Sequence, residues 1–240
     1  MQNYTRRQLK KGDKFSETAQ GAVHWASEHR QKIIWGVALL VIAGIAIIGY
    51  LAWNSRQTEK ANIALGAAMQ TFAAPLRPAG IQATPNDTTK SFSSIAERGK
   101  QAEKEFKAIA DQFSHTSPGK IARYMAGAAA LQAGDNAAAE QQLKAAADSS
   151  DKDVAALAKM ALANLYLTTN KQSEAAKIYK DLSDHPTDTV SKGQAQLALA
   201  DMYEATDPKQ AAALYEQIQK EDPKSPAAEI AASKLGNGGK

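Results

Sequence analysis

The chain has four histidines and no cysteine, so the groups available for metal or covalent chemistry are few. His24 and His29 stand five apart, which puts them on different faces of a helix. His115 and His185 each close an apolar helical segment, where imidazole complements the negative end of the helix dipole. None has a partner at zinc-ligand spacing, and no serine, histidine and acid form a hydrolytic set. Gly119-Lys120 is followed by Ile121, where a phosphate-cradling loop needs serine or threonine. Asp148, Asp151 and Asp153 lack the spacing and glycine of a calcium loop and read as a solvated turn. Glu103, Glu105 and Lys107 read as an exposed charged face. These residues do not make an enzyme, and they imply no cofactor and no metal.

The elements that would carry a binding surface begin with residues 33–53, IIWGVALLVIAGIAIIGYLAW, which hold no charge. As a helix this stretch is about 32 Å long, and a bilayer's hydrocarbon layer is about 30 Å thick. Trp35 lies near one end and Tyr50 and Trp53 near the other, as amphipathic rings do at membrane boundaries. A core helix of a soluble domain would carry a polar face. A cleavable export signal would have a shorter apolar core and a small-x-small exit, but here the exit reads Leu51-Ala52-Trp53-Asn54-Ser55. The reading is an uncleaved signal anchor, a single membrane-spanning helix.

Charge orients it. Seven basic and three acidic residues precede the span, and 22 of each follow it. Basic residues are retained in the cytoplasm, so residues 1–32 are expected to be a cytoplasmic tail and the remainder to lie outside. The basic tail sets topology and can touch anionic lipid. The outer part has no net charge and so lacks the basic surface that nucleic acid requires. The tail reads either as a short helix on the inner membrane face, from Phe15 onward, or as loosely ordered chain.

Residues 54–72 continue helically on the stripe Ala61, Ala64, Leu65, Ala68, Met69 and Phe72. Pro75, Pro78, Gly80 and Pro85 then break the pattern, giving a helical extension and Pro-rich loop over 54–93. From 94 to 235 the chain reads as helices separated by short Gly, Asn, Asp and Pro clusters, and 236–240 reads as a flexible end. A period runs through it. Ala102, Ala139, Ala175 and Ala211 are spaced by 37, 36 and 36 residues. Four positions on stand Phe106, Leu143, Tyr179 and Tyr215, and three further Ile109, Ala146, Leu182 and Ile218. Leu162-Ala163 with Tyr166, and Leu199-Ala200 with Tyr203, mark the first helix of two hairpins. Small residues let paired helices approach, and large ones fill the gaps to the next pair. The fold class is therefore all-α: one N-terminal transmembrane helix followed by an α-solenoid of helical hairpins. An unrelated α-hairpin array would show the same periodicity.

These positions resemble the tetratricopeptide repeat, well in 153–186 and 189–223 and poorly in 119–149, at a slightly long period. Together with the basic tail, the uncleaved span and the outward helix, they resemble the bacterial ancillary SecYEG translocon subunit family. That resemblance implies an inner-membrane protein with its repeats in the periplasm. Its implied partners are the Sec translocon, a membrane-anchored periplasmic chaperone and emerging chains. It also implies inward-facing residues on the first helix of each hairpin, which map to Tyr124, Met160, Asn164, Thr168, Asp201 and Glu204. Asp201 and Glu204 would favour a basic or polar peptide. A related cell-division coordinator family shares the repeats but usually adds a cleaved signal and a coiled coil, so an envelope adaptor for division or wall synthesis is the alternative.

Overall fold

In a computed structural model, residues 29–77 and 90–237 are described; most of the 1–32 tail, the Pro-rich loop from Pro78 through Pro85, and the last three residues of the 236–240 end lie outside them. Among the described residues there are nine helices and no strand: α1 Arg30–Phe72, α2 Ile95–Gln112, α3 Ser117–Ala133, α4 Asn136–Ala147, α5 Lys152–Thr168, α6 Gln172–Asp184, α7 Lys192–Tyr203, α8 Pro208–Glu221 and α9 Pro226–Asn237. The arrangement is an α-solenoid of hairpins. The chain divides into two compact units, 1–55 and 56–240. In the first, the apolar part of α1 is long enough to cross a bilayer, and none of its most apolar window is buried against the chain. Leu40 and Ile48 are 73% and 69% exposed. A soluble fold does not leave so many large apolar side chains in water.

In the second unit the polar clusters between apolar segments are caps. Ser94, Thr116, Asp135, Asp151 and Asp207 each accept a backbone N–H of the helix that follows, satisfying donors that have no intrahelical partner. Ser191 and Gln194 form a reciprocal capping box on α7. α3 stops at Gly134, whose φ of 77° only glycine adopts cheaply.

The second helices of the hairpins, α2, α4, α6 and α8, carry the periodic residues inward. All four leading alanines, the four large residues after them and the four that follow are buried. The C-terminal part of α1 supplies the first helix for α2: Ala61 and Ala68 share a cluster with Ala102, Phe106 and Ile109, and the Phe72 and Phe106 rings meet edge-on at 6.0 Å. The chain between α1 and α2 is closed at its base. Leu76 and Phe92 form an isolated parallel bridge, and Arg98 Nη1 donates to the Ala74 carbonyl at 2.8 Å. A larger cluster joins α3 to α7 around Leu143, Leu162, Tyr166, Tyr179 and Leu199. α9 packs Ala227, Ala228 and Ala231 onto Leu197, Tyr215 and Ile218.

Candidate protein-binding surface

Each of the two well-formed hairpins ties its helices together by a tyrosine hydroxyl. Tyr179 on α6 donates to Asn164 Oδ1 on α5 at 2.5 Å. One repeat later, the Tyr215 hydroxyl on α8 lies 2.6 Å from Asp201 Oδ1 and 2.9 Å from Glu204 Oε1 and shares its one hydrogen between them. The poorly matching hairpin replaces this bond by close packing. Gly127 stands against Leu143, and a methyl group added there would lie 2.6 Å from Leu143 Cγ. Burial, with the Asp201 charge second, pushes the Tyr179 hydroxyl up to about 12. Burial and then the bonds to Asp201 and Glu204 raise Tyr215 as well.

Asp201 and Glu204 are not free carboxylates. Lys234 of α9 places Nζ 3.0 Å from each, and bonds to Glu204 and then Asp201 raise its pKa. The other inward-mapped residues fall differently. Tyr124 and Met160 are half-buried, and each packs against the large central cluster. Asn164 is exposed but serves as the Tyr179 acceptor. The exposed Thr168 turns its hydroxyl onto its own helix, donating to the Leu165 carbonyl at 2.9 Å. The structure thus sets Tyr124 and Met160 against one cluster, joins Asp201 to Glu204 through Lys234 and Tyr215, and sets Thr168 apart.

A second network lies between hairpins. Glu140 on α4 holds Lys144 at 2.7 Å and Lys171 at 2.9 Å, and accepts the Tyr166 hydroxyl at 3.1 Å. Lys171 also lies 5.0 Å above the Tyr166 ring, within cation–π range. Bonds from Lys144 and then Lys171 hold the Glu140 carboxyl at about 2 instead of 4.5. Glu221, bonded by Gln217 and Lys192, is also held at about 2. A carboxylate with a depressed folded pKa stabilises above its unfolded value, and that stability is lost as pH falls through the folded one. The thermal midpoint is therefore expected to be flat above about pH 5 and to fall between about 4.5 and 2. Glu140→Gln should lower the plateau by about 0.5–1 kcal/mol, the scale of partly exposed pairs, and flatten the acid limb. Circular dichroism melts across pH check both effects. An acid limb unchanged by Glu140→Gln would remove this network from the stability account.

Sequence alone gave no sign of Glu140 or Lys234, because each meets partners on other helices. The tyrosine bonds had a faint signal, a polar residue 15 or 14 positions before each tyrosine. Among the described residues three clefts open on the C-terminal hairpins, one of about 420 Å³ beside Glu204, Tyr215 and Lys234. One of about 910 Å³ lies between the starts of α7 and α9, lined by Leu197, Ile218 and Ile230 among others. One of about 460 Å³ lies between α6 and α8 over α7. Among the described residues, no three His, Asp or Glu side chains converge to hold a metal ion.

A family model for the tetratricopeptide repeat-like domain matches residues 23–185. No curated protein and no solved structure matches the chain.

Proposed function

The chain belongs to the tetratricopeptide repeat-like domain family, and from that premise we propose that it is a protein-binding scaffold of the bacterial inner membrane, an ancillary subunit of the Sec translocon. Residues 33–53 span the membrane once with the N-terminus in the cytoplasm, and the repeats stand in the periplasm. There they link the channel to a membrane-anchored chaperone and to emerging chains. One observation carries this reading: among the described residues none covers the apolar window of α1, and lipid or a partner helix would cover it. The charge step across the span and the neutral repeats support the orientation. A stack of hairpins without catalytic groups offers surface for binding. On this reading Tyr124, Met160, Asn164 and Thr168 line the inner face of the stack, with Asp201 and Glu204 at its end.

A methyl group added at Gly36, Gly44 or Gly49 would meet nothing within 4 Å, so these positions leave α1 open to close contact with a second helix. Photoreactive residues placed between 36 and 49 in living cells should form adducts with a channel or chaperone helix. Adducts with lipid or with a second copy only would overturn the translocon role. Depletion of the protein should leave septa normal. A division defect would instead favour the adaptor for division or wall synthesis.

A further inference from the structure

The repeats allow one interhelical junction to be compared with the same junction one repeat later. At the first, Tyr166, Glu140 and Lys144 meet: the Glu140 carboxylate takes the tyrosine hydroxyl and the ammonium. Thirty-six residues after Glu140 and Lys144 stand Ala176 and Lys180, and 37 after Tyr166 stands Tyr203. The tyrosine and the lysine recur, but the carboxylate between them is replaced by a methyl group. The cleft of about 460 Å³ opens at this place, lined by Ala176, Lys177, Lys180, Tyr203, Leu199 and Leu214.

The polar groups at its mouth are left over. The hydroxyls of Tyr166, Tyr179 and Tyr215 all donate within the chain, whereas the Tyr203 hydroxyl makes no bond among the described residues. Lys177 and Lys180 are exposed and form no ion pair there, although Lys144 at the equivalent position is paired at 2.7 Å. Of the other charges on the cleft, Lys192 is held by Glu221 at 2.8 Å. Asp184 sits on the rim, within ion-pair distance of neither lysine.

We infer that this cleft binds an acidic peptide segment. A glutamate or aspartate side chain of the partner takes the place that Glu140 fills one repeat earlier, between Tyr203 and Lys180, and an adjoining apolar side chain rests on Leu199 and Leu214. The chain's own junction supplies the template for the carboxylate, and the two unpaired lysines supply charge complementarity. This names a partner chemistry for the scaffold proposed above and rests on that reading.

The test uses the full chain in detergent micelles and a labelled, end-blocked pentapeptide with one glutamate between two leucines. The same peptide with glutamine serves as control. At low salt the glutamate peptide should bind about tenfold more tightly, the worth of one charge-assisted bond, and lose that advantage as salt is raised. Lys180→Glu should abolish the preference. Ala176→Glu, which supplies the carboxylate from within, should block the peptide while leaving the chain as helical and at least as heat-stable as before. Equal binding of the two peptides, or an Ala176→Glu chain that binds like the parent, would overturn the site. If translocon crosslinks persist in such a case, the site falls and the scaffold role stands.

Discussion

Replacing Gly119 by alanine should destabilise the repeat stack by about 3 kcal/mol, whereas the same replacement at Gly66 should stabilise it by about 0.5–1 kcal/mol. Helix propensity alone favours alanine at both positions, so the opposite sign isolates packing. Gly119 lies in the first turn of α3, where Thr116 caps the helix by accepting its N–H at 3.2 Å. Thr116 also donates through both its backbone and its hydroxyl to the Phe113 carbonyl, at 2.9 and 2.8 Å. That turn folds the end of α2 onto the start of α3. A methyl group at Gly119 would lie 1.9 Å from the Phe113 oxygen and 2.5 Å from its carbonyl carbon. Both are backbone atoms, so no rotamer change relieves the contact, and the turn must open. Phe113 and Thr116 are buried, and opening it would expose them. At Gly66, on the exposed side of α1, a methyl group meets nothing within 4 Å. Urea unfolding followed by helix signal separates the two variants. A Gly119→Ala chain as stable as the parent would mean that the α2–α3 turn is looser than described.

Why Gly119 was not legible while its neighbours were is a matter of range. The fold class could be read because hairpin packing writes itself into spacing: small residues where helices cross and large ones four positions later must recur with the repeat. Ala139, Leu143 and Ala146 are buried for the same reason as Ala175, Tyr179 and Leu182. The breaks between helices were legible because the residues that make them act over two or three positions. In the sequence Gly119-Lys120 could only be set aside as a phosphate loop, and the three-dimensional turn shows that Gly119 answers to the Phe113 carbonyl.

The binding surface was less legible, because its groups act across hairpins. Asp201 and Glu204 read from sequence as acids open to a basic partner. In the folded chain Lys234, 30 residues beyond Glu204, already holds both. Glu140 gave no signal because its partners Tyr166 and Lys171 lie 26 and 31 positions away. The contrast between Glu140 and Ala176 was visible in the alignment of repeats but carried no meaning until the structure showed what Glu140 touches.

Tyr179→Ala should be the most damaging truncation in the central cluster, costing about 3–5 kcal/mol. Tyr179→Phe should cost about 1 kcal/mol. The ring is 1% exposed and is the largest of the fully buried side chains among the described residues. It sits in the cluster that joins α5, α6 and α7 through Leu162, Ala163 and Leu199. Removing it leaves a cavity that three helices cannot close without shifting the repeat register. In a solenoid each repeat is held chiefly by its neighbours, so the damage should spread along the stack and not stay local. Hydrogen exchange of Tyr179→Ala should rise more in 186–237 than in 95–133. Uniform exchange along the whole chain would argue that the stack melts as one unit. Tyr179→Phe instead loses only the hydroxyl, and the exposed Asn164 can bond to water in its place. Asn164→Ala breaks the same bond from the other side and also removes an exposed group from α5. The pair therefore separates folding from binding. Equal stabilities with unequal partner affinity would assign Asn164 a direct contact with the partner, whereas equal losses in both would confine it to orienting Tyr179.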